Sequence, residues 1–127
     1  MEIYAAMVSD LDRYIGEFLE YLESRDELEN TFVLFFSDNG PEAIRRDLFR
    51  GEPSEWVRTC CNNDYENLGA GDSYVAYGPN WARAGSVAFR RNKTSAYDGG
   101  IHVPAIAWFP AMIEAGSRSS EFATVMD

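Results

Sequence analysis

Two neighbouring residues, Asp38 and Asn39, have the side-chain types that bind a hard divalent cation. They follow the apolar run "TFVLFF" (31–36) within the tetrapeptide "SDNG" (37–40). A carboxylate and an amide oxygen suit Ca²⁺ or Mg²⁺, which take about six or more oxygen ligands. Any such metal therefore needs further ligands from elsewhere. Because Asp-Asn-Gly is also a frequent turn sequence, the motif alone leaves the turn and the metal interpretations open.

A single lysine, Lys93, lies in the stretch "FRRNKTSAYDGG" (89–100), beside Arg90 and Arg91. Its ammonium can hold an anionic group as a point charge. α/β proteins bind ligands in a crevice at the carboxyl ends of their strands, and Lys93 precedes the second predicted strand. It can therefore reach toward the same crevice as Asp38. The alternative is a solvated surface cluster.

The remaining reactive residue types have weaker contexts. His102, between Ile101 and Val103, is predicted to be a packed or edge residue rather than a base. Cys60 and Cys61 are adjacent and lack Cys-x-x-Cys spacing, so two free thiols are expected rather than a strained bond between neighbours. The chain contains no Walker loop and no dinucleotide-binding fingerprint.

The elements that must position these residues are those of an α/β protein. Apolar residues recur at helical spacing over 2–24, which predicts an amphipathic helix. The runs at 31–36 and 102–109 predict buried strands of a parallel sheet, because the first shows no alternation and both faces should be covered. Between them lies a long irregular segment. Within it we expect a short helix at 42–49 and one or two helical turns after Gly78-Pro79.

Composition limits the classes of partner. A chain of 127 residues fits a single domain. Its net charge of −10 argues against nucleic acid and against an anionic membrane surface. These residues include no signal peptide and no apolar run of membrane-spanning length, so a cytoplasmic or a periplasmic location is expected.

The order of several stretches resembles the arylsulfatases of the alkaline phosphatase superfamily. These are "YAAMVSDLDRYIGEFLEYL", "NTFVLFFSDNG", "SYVAYGPNWARA", "FRRNKTSAYDGGIHVPAIAWFP" and "FATVMD". The resemblance covers nearly the whole chain. It implies a partial alkaline-phosphatase-like parallel-sheet domain, with residues 1–127 forming one segment of a catalytic domain.

The resemblance also implies roles for three residues. Asp38 and Asn39 match the pair that binds Ca²⁺ or Mg²⁺, and Lys93 matches the lysine that contacts the sulfate and the leaving oxygen of a sulfate ester. The family usually has glutamate or glutamine where this chain has Asp98, and often arginine where it has His102.

The family nucleophile is a formylglycine made from cysteine in a Cys-x-Pro/Ala-x-Arg motif, which neither Cys60 nor Cys61 fits. The resemblance places that motif, further metal-binding aspartates and a second lysine upstream of these residues. We therefore expect the chain alone to be inactive and, as part of a larger sheet, to self-associate. The alternatives are a non-catalytic remnant or interaction module, and a fragment of a related phosphatase or phosphonate hydrolase.

Overall fold

The computed structural model describes residues 1–45, 48–49, 52–53 and 55–126. Its helices and strands, in chain order, are α1 (Glu2–Ser24), β1 (Val33–Phe36), β2 (Leu48–Phe49), β3 (Glu52–Pro53), α2 (Glu55–Thr59), α3 (Gly78–Gly85), α4 (Asp98–Ile101) and β4 (Ala105–Trp108). Two single 3₁₀ turns lie at Leu28–Asn30 and Tyr65–Asn67. Within the described residues, no helix is both long enough and apolar enough to cross a membrane.

The long helix α1 confirms the helix predicted over 2–24. Its apolar stripe faces the sheet formed by β1 and β4 across a cleft of about 530 Å³. On the solvent side, Arg13 pairs with Glu17 at 2.6 Å and with Asp10 at 3.5 Å. These are the pairs expected between residues three and four apart on a helix.

The two main strands lie inside the predicted ranges, but their arrangement corrects the prediction of a parallel sheet. β1 and β4 pair antiparallel, with Val33 opposite Trp108 and Phe36 opposite Ala105. The amide of Gly40 bonds the carbonyl of Gly100, so β4 begins where β1 ends and must run back along it. An unbroken apolar run carries no information about strand direction.

The prediction that both strands are buried is also wrong for this structure. One face of the sheet turns toward α1 through Val33, Phe35, Ile106 and Trp108. On that side Phe35 and Ile106 still keep 43% and 64% of their surface exposed. The opposite face, formed by Leu34, Phe36, Ala105 and Ala107, is also open, and Leu34 and Phe36 keep 50% and 40% of their surface exposed. We call this surface the open sheet face.

Irregular chain and short helices connect β1 with β4. The helical turns expected after Gly78-Pro79 are confirmed by α3. The helix expected over 42–49 is wrong for the described part of that range, because 42–45 is irregular and 48–49 forms β2. Residues 46 and 47 lie outside the described residues. The helix α4 was not predicted, since two of its four residues are glycines, which disfavour helix.

Self-association through the open sheet face is our first prediction. The accessible surface is 10591 Å², whereas a compact protein of 14.3 kDa exposes about 6,800 Å². Apolar sheet surface left open in this way drives association. We expect dimers or larger species in analytical ultracentrifugation at micromolar concentration.

The Leu34→Lys variant places a charge on the open sheet face and should sediment as a monomer. The control Met112→Lys adds the same charge at an exposed residue outside the sheet. A wild-type chain that sediments as a clean monomer would count against the prediction.

Candidate functional site

The two segments singled out in the sequence meet through the backbone. The amide of Gly40 donates to the carbonyl of Gly100 at 2.9 Å, and the amide of Lys93 donates to the carbonyl of Pro41 at 3.1 Å. A third bond, from the amide of Gly99 to the carbonyl of Arg90, closes the Lys93 segment on itself at 2.9 Å. These bonds fix the Lys93 loop against the SDNG turn.

Two close approaches require glycine: one between the SDNG turn and the backbone of Gly99 and Gly100, and one inside the Lys93 loop itself. A Cβ on Gly40 would overlap the carbonyl of Gly99 and lie 3.1 Å from the Cα of Gly100. A Cβ on Gly99 would overlap the carbonyl of Arg91. All three glycines are buried, as are Ala82 and Ser86 of the neighbouring α3 region. Among the described residues, the best-packed part of the molecule is therefore this junction rather than an apolar core.

Asp38 and Asn39 lie at the carboxyl end of β1, as predicted. Asp38 is exposed, and within the described part of the chain its carboxylate has no hydrogen-bond or ion-pair partner. Asn39 is half-buried, and its Nδ2 donates to the carbonyl of Gly40 at 3.0 Å, which leaves its Oδ1 available as an acceptor. The hydroxyl of Ser37 donates to the carbonyl of Asn39 at 2.9 Å and tightens the turn.

The donor set suits a hard cation but is incomplete. The motif supplies two oxygen donors, against the six or more that Ca²⁺ or Mg²⁺ takes. Asn39 lines the neighbouring cavity, whereas Asp38 does not. Across the described ranges there is no group of three or more histidine, cysteine, aspartate or glutamate residues that would hold a metal. Asp38 and Asn39 therefore fit a metal site as two of its ligands only.

Lys93 sits on a strained turn beside this pair. Its neighbours Arg91 and Thr94 have φ values of 67° and 73°, in the left-handed region that costs a non-glycine residue about 1–3 kcal/mol. The ammonium Nζ lies 3.8 Å from Oε2 of Glu42. Such strain clusters at functional sites, because the surrounding contacts must hold it.

The other two members of the basic cluster point elsewhere. Arg90 and Arg91 lie over the ring of Tyr97, with guanidinium-to-centroid distances of 4.1 and 5.5 Å. Cation–π contact thus engages both arginines. Lys93 is the member that turns toward the residues after SDNG.

A cavity of about 700 Å³ opens beside the turn, and aromatic side chains form much of its wall. Tyr4 of α1 stacks on Tyr77 at 5.3 Å between ring centroids, and Asn39 and Trp81 also line the space. Burial, with the nearby Tyr4 as a weaker cause, raises the pKa of Tyr77 above its usual value, although a hydrogen bond with the backbone of Glu42 acts in the opposite direction. Tyr77 therefore stays neutral at physiological pH. The tyrosines and Trp81, interpreted from sequence as packing residues, border this space.

His102 and the cysteines behave differently from each other. His102 stacks on Phe89 at 4.6 Å at the rim of the cavity, as a packed or edge residue should. The expectation of two free thiols is wrong, because the structure joins Cys60 and Cys61 by a disulfide where the chain leaves α2. The prediction had rejected a bond between sequence neighbours as strained, but the structure contains that bond.

Comparison with known proteins gives the family. The family model described as Sulfatase matches residues 1–127, the whole chain. The chain belongs to the sulfatase family. Sulfatases act on sulfate esters, and the family generally uses a metal ion and a formylglycine.

Individual sulfatases align along the same length. The chain is 42% identical over 127 residues to an uncharacterized sulfatase of Schizosaccharomyces pombe, covering all of this chain and 23% of that protein. It is 30% identical to an arylsulfatase of Klebsiella aerogenes, covering all of this chain and 27% of that protein. A human N-acetylgalactosamine-6-sulfatase is 28% identical over 98% of this chain and 17% of its own length. This sulfatase chain thus spans about a quarter or less of the relatives it matches.

Sequence reasoning missed one member of the site, Glu42. An acidic residue directly after SDNG-Pro is visible in the sequence, but no local pattern pairs it with Lys93, 51 residues further along the chain. The burial of Ala82 in α3 and of Ser86 directly after it was also missed, because no local sequence pattern indicates it.

Proposed function

We propose that this chain is the segment of a sulfate ester hydrolase that contributes two metal ligands and one sulfate-binding cation. The observation that carries the proposal is the pair of backbone bonds from Gly40 to Gly100 and from Lys93 to Pro41. They hold the hard oxygen donors and the lysine at one end of β1. Family membership supports a sulfate ester as the substrate class.

Each residue then has a role that its chemistry allows. The carboxylate of Asp38 and the Oδ1 of Asn39 bind the metal. When bound, the metal screens the negative charge of the sulfate oxygens. The ammonium of Lys93 stabilises the charge that develops on the sulfate and on the leaving oxygen, which is the largest kind of catalytic contribution in many enzymes. The aromatic cavity beside Asn39 offers room for the organic part of the ester.

The chain alone should not turn over substrate, and this is our second prediction. It carries no Cys-x-Pro/Ala-x-Arg motif, and Cys60 and Cys61 are joined to each other. We expect no hydrolysis when the purified chain is incubated with an aryl sulfate and Ca²⁺. Turnover that disappears in Lys93→Ala would show that the chain is a complete enzyme.

A non-catalytic remnant is the second candidate, because the described residues hold only two metal donors. The coding DNA upstream of the Met1 codon separates the two candidates. An in-frame Cys-x-Pro/Ala-x-Arg motif there supports the enzyme segment. A genuine start site with no such motif favours the remnant.

A further inference from the structure

The carboxylate of Glu42 is hydrogen-bonded through one oxygen and faces Lys93 with the other. Oε1 accepts a hydrogen bond from the amide of Ile44 at 3.0 Å, and Oε2 lies 3.8 Å from Nζ of Lys93. Because the amide contact lies within two residues of Glu42, it fixes the carboxylate without help from the ligand. The carboxylate therefore lies beside the ammonium of Lys93 before any ligand binds.

Lys93 is tethered to the same segment. Its amide is bonded to the carbonyl of Pro41, one residue before Glu42. Both side chains of the pair remain partly open to solvent, with 39% of Lys93 and 42% of Glu42 exposed. An external anion can therefore reach the ammonium of Lys93, but the carboxylate of Glu42 already lies next to that ammonium.

The formal charges near the turn cancel. Asp38, Glu42 and Asp98 carry one negative charge each, and Lys93, Arg90 and Arg91 carry one positive charge each. An exposed ion pair is weak, so an anion with suitable geometry can displace the carboxylate. While it stays, however, the carboxylate opposes anion binding through Coulomb repulsion.

We propose that Glu42 is an internal counter-ion of Lys93, which the sulfate group must displace and which lowers the affinity of the site for sulfate. The inference rests on the proposed role of Lys93 as the sulfate contact. Glu42 is a positioning residue in this scheme, since it acts on the ligand through Lys93.

The single lysine makes the test direct. Chain labelled with ¹³C at lysine Cε gives one lysine signal, that of Lys93, and inorganic sulfate is titrated at an ionic strength held at about 0.1 M. In Glu42→Gln the amide oxygen can still accept from the amide of Ile44, but the charge is gone. We expect the sulfate midpoint of Glu42→Gln to fall about three- to fivefold below that of the wild type.

Glu20→Gln is the matched control. It removes the same charge from α1, about 27 Å along the helix from its start at the rim of the cavity. That separation exceeds the screening length at moderate ionic strength. The sulfate midpoint of Glu20→Gln should equal that of the wild type.

Three results would overturn the inference. Equal midpoints in the wild type and Glu42→Gln would remove the counter-ion role while leaving Lys93 as the sulfate contact. A weaker midpoint in Glu42→Gln would show that Glu42 helps the anion to bind. A Lys93 signal that responds to sulfate in none of the three proteins would reject the proposed function of Lys93 itself, and the inference with it.

Discussion

Replacing Gly40 by alanine should destabilise the protein by about 3 kcal/mol, the upper part of the range for overpacking. The added Cβ would overlap the carbonyl of Gly99, a backbone group that cannot rotate away as a flexible side chain can. The loops would have to separate, and the bond from Gly40 to Gly100 would be lost. In a urea titration we expect the unfolding midpoint to fall by about 1–2 M.

The control is a second glycine-to-alanine substitution, at a position where an added Cβ has free space. Gly16 lies in the interior of α1 with nothing within 4 Å of an added Cβ. Gly16→Ala should raise the stability by about 0.5–1 kcal/mol, because alanine favours helix over glycine. If Gly40→Ala and Gly16→Ala unfold at the same midpoint, the tight junction between the two loops does not exist in solution.

Replacing Lys93 by alanine should have the largest catalytic effect. In a full-length sulfatase that contains this segment, we expect kcat for an aryl sulfate to fall about 10²–10³-fold, the usual loss on removal of one group that stabilises transition-state charge. The loss should appear in kcat more than in KM, since the charge on the leaving oxygen exists only in the transition state. Steady-state kinetics measures both constants.

Arg118→Ala is the control for the loss of one positive charge. Arg118 is exposed in the segment after β4 and does not line the cavity beside the SDNG turn. Its removal should leave kcat within about twofold, because exposed charges far from a site are screened. A Lys93→Ala enzyme with wild-type kcat, or one that changes KM alone, would contradict a transition-state role for Lys93.

Local patterns were sufficient to predict the long helix and the two main strands. The stripe of apolar residues over 2–24 predicted α1, because the 3.6-residue period is a property of the helix itself. The apolar runs predicted the positions of β1 and β4 to within a few residues. The positions of the helix and of the two strands depend on residues that are close in sequence, so they can be predicted from one sequence.

Strand direction and burial depend on contacts between distant segments, and here the predictions were wrong. The antiparallel pairing follows from the bond between Gly40 and Gly100, which are 60 residues apart in the sequence. The open sheet face depends on which layers cover the sheet, and an apolar strand has the same sequence whether that face is covered or not.

The site was predictable only in part, because residue types can be read from the sequence whereas contacts between distant residues cannot. Asp38, Asn39 and Lys93 were found from residue types and from the resemblance, and their roles stay predictions. Glu42 could not be paired with Lys93 without the fold, because 51 residues separate them. Nor does the sequence show that Arg90 and Arg91 rest on Tyr97.

The most direct test of the central claim, that Asp38 and Asn39 are metal ligands, is a Ca²⁺ titration of the chain followed by amide NMR. With two of the ligands present we expect saturable binding in about the millimolar range, with the largest shifts at Asp38 and Asn39. Asp38→Asn should abolish these shifts, while the control Asp12→Asn on α1 should keep them. Shifts spread over the acidic face of α1, or shifts unchanged in Asp38→Asn, would contradict the claim.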